Sequence, residues 1–191
     1  MSSSIWIVIA AVVALAAVVL VVALAVGRRK KTGRLKQRFG PEYERTVASA
    51  GTQGAAEKEL AERERRRDDL DIIPLTQQPL AGYVDRWRIV QTAFVDNPSS
   101  AVGDADGLVT EVMRERGYPV DDFEQRAADI SVDHPGVVED YRAAHAIHLR
   151  QERGDVGTEH QRQAFVHYRA LFEELLAVDG ERTQTPQSET R

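Results

Sequence analysis

Four of the chain's five histidines crowd into one stretch: His145, His148, His160 and His167. His145 and His148 stand one helical turn apart, and an antiparallel return helix would bring His160 and His167 back toward them. His145, His148 and His167 fall at similar heights from the intervening turn, so their neutral imidazoles could hold zinc or nickel. The accompanying motifs of specific sites are missing, for the sequence holds no His-Glu-x-x-His and no pair of Glu-x-x-His. Amphipathic residues beside a core share this spacing. The expectation is therefore no metal and no cofactor, with His145, His148 and His167 as the alternative ligand set.

Carboxylates offer little more. Asp104 with Asp106, Asp121 with Asp122 and Glu139 with Asp140 are near neighbours that solvated helix faces and caps explain better than acid/base pairs. Asp104-Ala105-Asp106-Gly107 has the opening of a calcium loop, with Glu115 at its twelfth position. Leu108 occupies the fifth, a ligand position, and the following residues are patterned as helix. No phosphate-cradling glycine loop and no Gly-x-Ser-x-Gly elbow exists, and the absence of cysteine excludes thiolate chemistry. An enzyme is thus the less favoured expectation, and no catalytic residue is assigned.

The elements that would carry these groups are helices. Thr76 can cap a helix with Leu80, Tyr83, Val84, Trp87 and Phe94 on one face; Trp87 reads as a core anchor. Asn97-Pro98 opens a second helix, stopped by Gly117. Asp121 with Glu124 suits a capping box, Asp133-His134-Pro135 starts a fourth helix, and Thr158 with Gln161 caps a fifth. No stretch alternates with period two over a strand's length. The expected fold is all-α without a sheet: a bundle of about five helices over 75–178. The surface expected to meet a protein partner is the turn region of Tyr118, Pro119 and Asp121 with Asp133 and His134.

Preceding the bundle, residues 41–71 form a charged helical connector, opened by Pro41 at a first helical turn and offered a stop at Gly51. Its apolar positions Ala56, Leu60 and Leu70 are too sparse for a core face, whereas Glu59 with Arg63 and Glu62 with Arg66 are exposed helical pairs. It reads as a solvated spacer holding the domain off the membrane. A coiled-coil homo-oligomer is the rival reading, with Arg63 and Arg67 interrupting its seam. Residues 179–191 are polar, without apolar anchors, and are expected to be disordered.

Charge decides the remainder. The chain's 191 residues carry 25 basic and 30 acidic side chains, a net −5 that conceals three regimes. Residues 1–27 have no charge, 28–40 have seven bases and no acid, and 41–191 carry −12. Ile5 to Val26 is an unbroken apolar run of 22 residues. As a helix it would be about 33 Å long, enough to cross a hydrocarbon core of about 30 Å, so a transmembrane helix is expected over 5–27. The bases follow the run rather than precede it, which places the N-terminus outside and the remainder in the cytoplasm of a cell with an anionic inner leaflet. Arg28, Arg29, Lys30, Lys31, Arg34, Lys36 and Arg38 are the expected lipid-headgroup contacts, with Leu35 and Phe39 one turn apart on the lipid side. Ala23-Leu24-Ala25 leaves a cleaved signal peptide, and hence an exported protein, as an alternative. The acidic balance beyond residue 40 argues against a nucleic-acid partner.

Several blocks carry a resemblance: RLKQRFGPEYERTV at 34–47, EVMRERGYPV at 111–120, FEQRAADISVDHP at 123–135 and YRAAH at 141–145. Over most of its length the chain resembles an uncharacterised bacterial family of single-pass membrane proteins with a helical domain. The resemblance implies that architecture and a place in the bacterial plasma membrane. It implies no activity, and the expected role is a membrane-anchored, non-enzymatic interaction or scaffold module with lipid and an unknown protein as partners.

Overall fold

The computed structural model describes residues 3–154 and 156–183, with side chains described for Val12, Leu15, Ala16, 18–154 and 156–177. Among the described residues the chain is all-α, without a strand. Eight helices follow one another: α1 Ser3–Phe39, α2 Pro41–Ala50, α3 Gln53–Asp68, α4 Gln77–Asp96, α5 Pro98–Glu115, α6 Phe123–Asp133, α7 Val138–Glu152 and α8 Thr158–Thr183. Among the described residues that is one helix more than a span, a single connector and about five bundled helices, and the extra one comes from the stop at Gly51 that divides the connector, as the glycine there suggests.

The breaks have local causes. Gly40 takes a positive φ of 50°, and Pro41 then opens α2 with a φ already suited to a helix. Gly51 closes α2 in the left-handed conformation, returning its N–H to the Val47 carbonyl. Thr52 accepts from the Ala55 N–H at 3.3 Å, and Asn97 accepts from the Ser100 N–H at 3.1 Å. Two expected starts are corrected. Asp122, not Asp121, caps α6, accepting from the Gln125 N–H at 2.8 Å. Asp133 and His134 end α6 rather than start α7, which begins at Val138 without a side-chain cap.

The main core lies among α4 to α8, around Trp87, Val109, Met113, Tyr141, Tyr168 and Phe172. A smaller core joins Leu35 and Phe39 of α1 to Tyr43, Leu60 and Val132. It overturns two expectations. Leu35 and Phe39 are buried in protein, not turned to lipid, and Ala56 and Leu60 are buried, so 41–71 is packed and is no solvated spacer. Residues 28–39 belong to α1, which runs on through the basic segment. Sparse apolar residues suffice on α3 because α1, α2 and α6 supply the rest of its core.

α8 also continues to Thr183, into the tail expected to be disordered; residues 184–191 lie outside the described ones. Much of the expected span Ile5–Val26 lies outside the residues whose side chains are described. Among the described residues no helix is long and apolar enough to cross a membrane.

Candidate functional site

The expected partner surface divides. Tyr118 and His134 are each only 3% exposed, whereas Pro119 and Asp121 are exposed and Asp133 is half-buried. The Tyr118 hydroxyl donates to Asp133 at 2.7 Å, and the Arg67 guanidinium donates to the same carboxylate oxygen. His134 Nδ1 meets Glu174 at 3.2 Å, and Arg116 donates to the Leu175 carbonyl at 2.6 Å. These bonds tie α3, the end of α5, α6 and α8 together. Tyr118 and His134 are therefore interior struts, not contact residues. Burial pushes the Tyr118 hydroxyl far above its ordinary pKa, with the Asp133 charge adding to it. Burial likewise lowers the His134 pKa, against the opposing bond to Glu174.

The histidines do not converge as their heights suggested. The His145 ring stacks on Phe123 at 3.6 Å with 11° between the planes, and its centroid lies 6.3 Å from that of His148. His148 Nε2 is 3.8 Å from Glu152, while His167 Nδ1 pairs with Asp140 at 2.9 Å. Among the described residues, no group of three or more histidine or carboxylate side chains could hold a metal ion. Residue height along a helix pair leaves the azimuth open, and here the azimuths disagree. The calcium-loop reading also fails, since Asp104 to Glu115 lies inside α5 and Asp106 sits beside the buried Tyr168 hydroxyl, whose pKa burial and that carboxylate both raise.

The basic collar is split. Arg34 and Arg38 pair with Glu64 at 2.8 and 3.4 Å, and Lys36 pairs with Glu44 at 2.9 Å. Its bond to Glu44 raises the Lys36 pKa. Arg28, Arg29, Lys30 and Lys31 are exposed on α1 above these pairs. Three of the expected headgroup contacts thus bind the domain, and four remain turned outward.

Two features escaped the sequence. First, Glu42 is only 2% exposed and accepts from Arg63 at 2.8 Å and from Arg142 at 3.1 Å, joining α2 to α3 and α7. Glutamate in the first turn of a helix is accounted for by the helix dipole, so it gives no sign of its burial without those distant cations. Second, a groove of about 470 Å³ runs between α4 and α8, floored by Val84, Trp87, Phe172 and Leu176 and edged by Arg88 and Arg169. Trp87 stacks on Phe172 at 4.5 Å and on Phe165 at 5.1 Å, which fixes the floor. Beside it α4 turns Ile89 and Val95 to solvent, 68% and 83% exposed. Ile89 stands two residues from Trp87, hence on another face of the same helix, and this was the signal available in the sequence. The floor is apolar and the rim polar, with Gln91 and Glu173 beside the two arginines, which suits binding of an amphipathic surface more than bond-making chemistry. No family model matches the chain, and no curated protein and no solved structure matches it.

Proposed function

We propose that this chain is a single-pass protein of a bacterial plasma membrane whose cytoplasmic helical domain is a non-enzymatic docking module. The observation that carries the reading is α1. From Val18 to Val26 its large apolar side chains are 46–65% exposed, while Leu35 and Phe39 of the same helix are fully buried in the domain. An apolar helix with nothing packed on it needs another cover, and the run Ile5–Val26 has the length that lipid requires. The unbroken helix makes the anchor a rigid mount.

The docking face is the α4–α8 groove, continued along α4 by Gln91 and Val95 at i,i+4. A trough between two helices accepts a third helix by its apolar side, so the favoured occupant is an amphipathic helix of another membrane-associated protein.

The native chain has no cysteine, so single cysteines report cleanly. In intact cells, a membrane-impermeant maleimide is expected to label Ser2→Cys, and to label Asp69→Cys only after lysis. Labelling of Asp69→Cys outside the cell, with release of the chain from membranes, would replace this reading with that of an exported protein. For the docking face, a photo-crosslinker at position 91, on the groove's edge, is expected to give a discrete adduct that Val95→Asp abolishes and Asp104→Asn leaves intact. An adduct indifferent to Val95 would remove the groove from the proposal.

A further inference from the structure

We infer that the turn between α2 and α3, residues 50–54, lies in the headgroup layer of the inner leaflet and that the domain meets anionic lipid there. The inference rests on the membrane-anchored reading of α1 and adds a lipid-facing end to the domain. The contacts between α1 and α3 supply the geometry. Thr32 is the sixth residue after Val26, so it stands about 9 Å beyond the apolar run along a helix. Thr32 donates to Glu57 at 2.6 Å, and Gln53 donates to Thr32 at 3.2 Å and to Glu57 at 2.7 Å. One step further along both helices, Arg34 and Arg38 meet Glu64. Later residues therefore pair with later residues, and α3 runs in the same direction as α1.

Thr32 bonds both Gln53 and Glu57 and so stands level with the stretch between them, which puts Gln53 about 3 Å nearer the bilayer, or about 6 Å from the hydrocarbon edge. A headgroup layer is about 5–7 Å deep on each side. The turn that precedes Gln53 thus enters it. Its composition suits the place: residues 48–56 read ASAGTQGAA, without a charge, and 51–55 are all exposed. The acid closest to the turn on α3, Glu57, is occupied by Thr32, Tyr43 and Gln53. Arg28, Arg29, Lys30 and Lys31 stand beside it at the same level, so this end offers the leaflet four cations and a neutral turn.

The full chain, reconstituted in vesicles of phosphatidylcholine with or without phosphatidylglycerol, tests this with an environment-sensitive fluorophore on one cysteine at a time. A label on Thr52→Cys is expected to be quenched severalfold more by spin-labelled lipid than one on Asp69→Cys, at the far end of α3, and more strongly when phosphatidylglycerol is present. A label on Val21→Cys separates the two readings. If Val21→Cys is quenched deep in the bilayer while Thr52→Cys behaves like Asp69→Cys, the leaflet contact is overturned and the anchor stands. If Val21→Cys is not quenched, both fall together.

Discussion

Replacing Glu42 by glutamine removes one charge and almost no volume from the joint between the mount and the bundle. The carboxylate accepts from Arg63 at 2.8 Å and Arg142 at 3.1 Å, and the two guanidiniums are themselves only 9% and 10% exposed. Removing one partner of a buried ion pair costs about 3–5 kcal/mol, because the other is left charged and desolvated. Here each arginine keeps a second carboxylate: Arg63 has Glu59 at 2.5 Å and Arg142 has Glu124 at 2.7 Å. Those carboxylates are 43% and 74% exposed, so water screens much of their effect. The expected loss is therefore at the lower end, about 3 kcal/mol, or about 6–12 °C in Tm for a chain of this size. Urea denaturation of the reconstituted protein, followed by fluorescence of the buried Trp87, measures it. A cycle with Arg142→Met should show coupling above about 1 kcal/mol, since the two side chains share one bond. A loss below about 1 kcal/mol for Glu42→Gln, or additivity with Arg142→Met within about 0.5 kcal/mol, would refute the role of Glu42 as the joint.

Gly117→Ala should be among the most damaging small substitutions, at about 2 kcal/mol or more in the same denaturation assay, because Gly117 sits at a φ of 95° and a Cβ there would lie 2.4 Å from the Asp71 carbonyl oxygen. Trp87→Ala should cost about 3–5 kcal/mol and empty the floor of the groove, so the position-91 adduct should vanish with it. Stability should fall on acidification below about pH 6.5, as burial lowers the folded-state pKa of His134 and His145 and the unfolded chain then binds more protons than the folded one. The slope is at most about 1.4 kcal/mol per pH unit for each group, vanishes once both states are protonated, and should diminish in His134→Gln as measured by urea titrations between pH 7 and pH 5. Inserting residues between Lys31 and Thr32 tests the rigid mount through helical phase. Two residues turn the domain by about 200° and should abolish the position-91 adduct, whereas four turn it by about 40° with a rise of about 6 Å and should retain part of it. Equal adducts from both insertions would show that orientation does not matter.

What could be read from the sequence was what neighbours in the chain determine. Gly40-Pro41, Gly51, Asn97-Pro98 and Gly117 act within four residues of themselves, and helices stop or start at each of them. Even locally the register slipped where two acids stood side by side, since only the distance to the Gln125 N–H selects Asp122 over Asp121. Burial was legible only where the apolar stripe was dense. Leu60 has too few apolar neighbours on its own helix to announce a core, which Leu35, Tyr43 and Val132 complete from three other helices. Tyr118 and His134 looked like loop residues free to bind. Their partners, Asp133 and Glu174, are 15 and 40 residues further along the chain. The histidines show the same limit from the other side, for spacing gave their heights while the packing of Phe123 and Asp140 gave their directions.

The rigid mount changes what the charge pattern is for. With a flexible spacer, a collar of seven bases would serve the bilayer alone, and the acidic domain would drift from the leaflet by repulsion. In the folded chain Glu64 takes Arg34 and Arg38, and Glu44 takes Lys36. Those pairs are exposed enough to be individually weak, but each lies beside Leu35, Phe39 or Tyr43, whose burial supplies the cohesion and leaves the ion pairs to set register. The direction of α1 thereby becomes the direction of the domain. On the membrane-anchored reading proposed above, a docking face carried this way would stay at one height and one azimuth relative to the bilayer. An unmoored domain spreads its encounters over every orientation, whereas a mounted one would offer its groove only to helices that approach at that height, raising their effective concentration without any new contact. Selectivity for a membrane-associated partner would then follow from the mount as much as from Val95 and the groove itself.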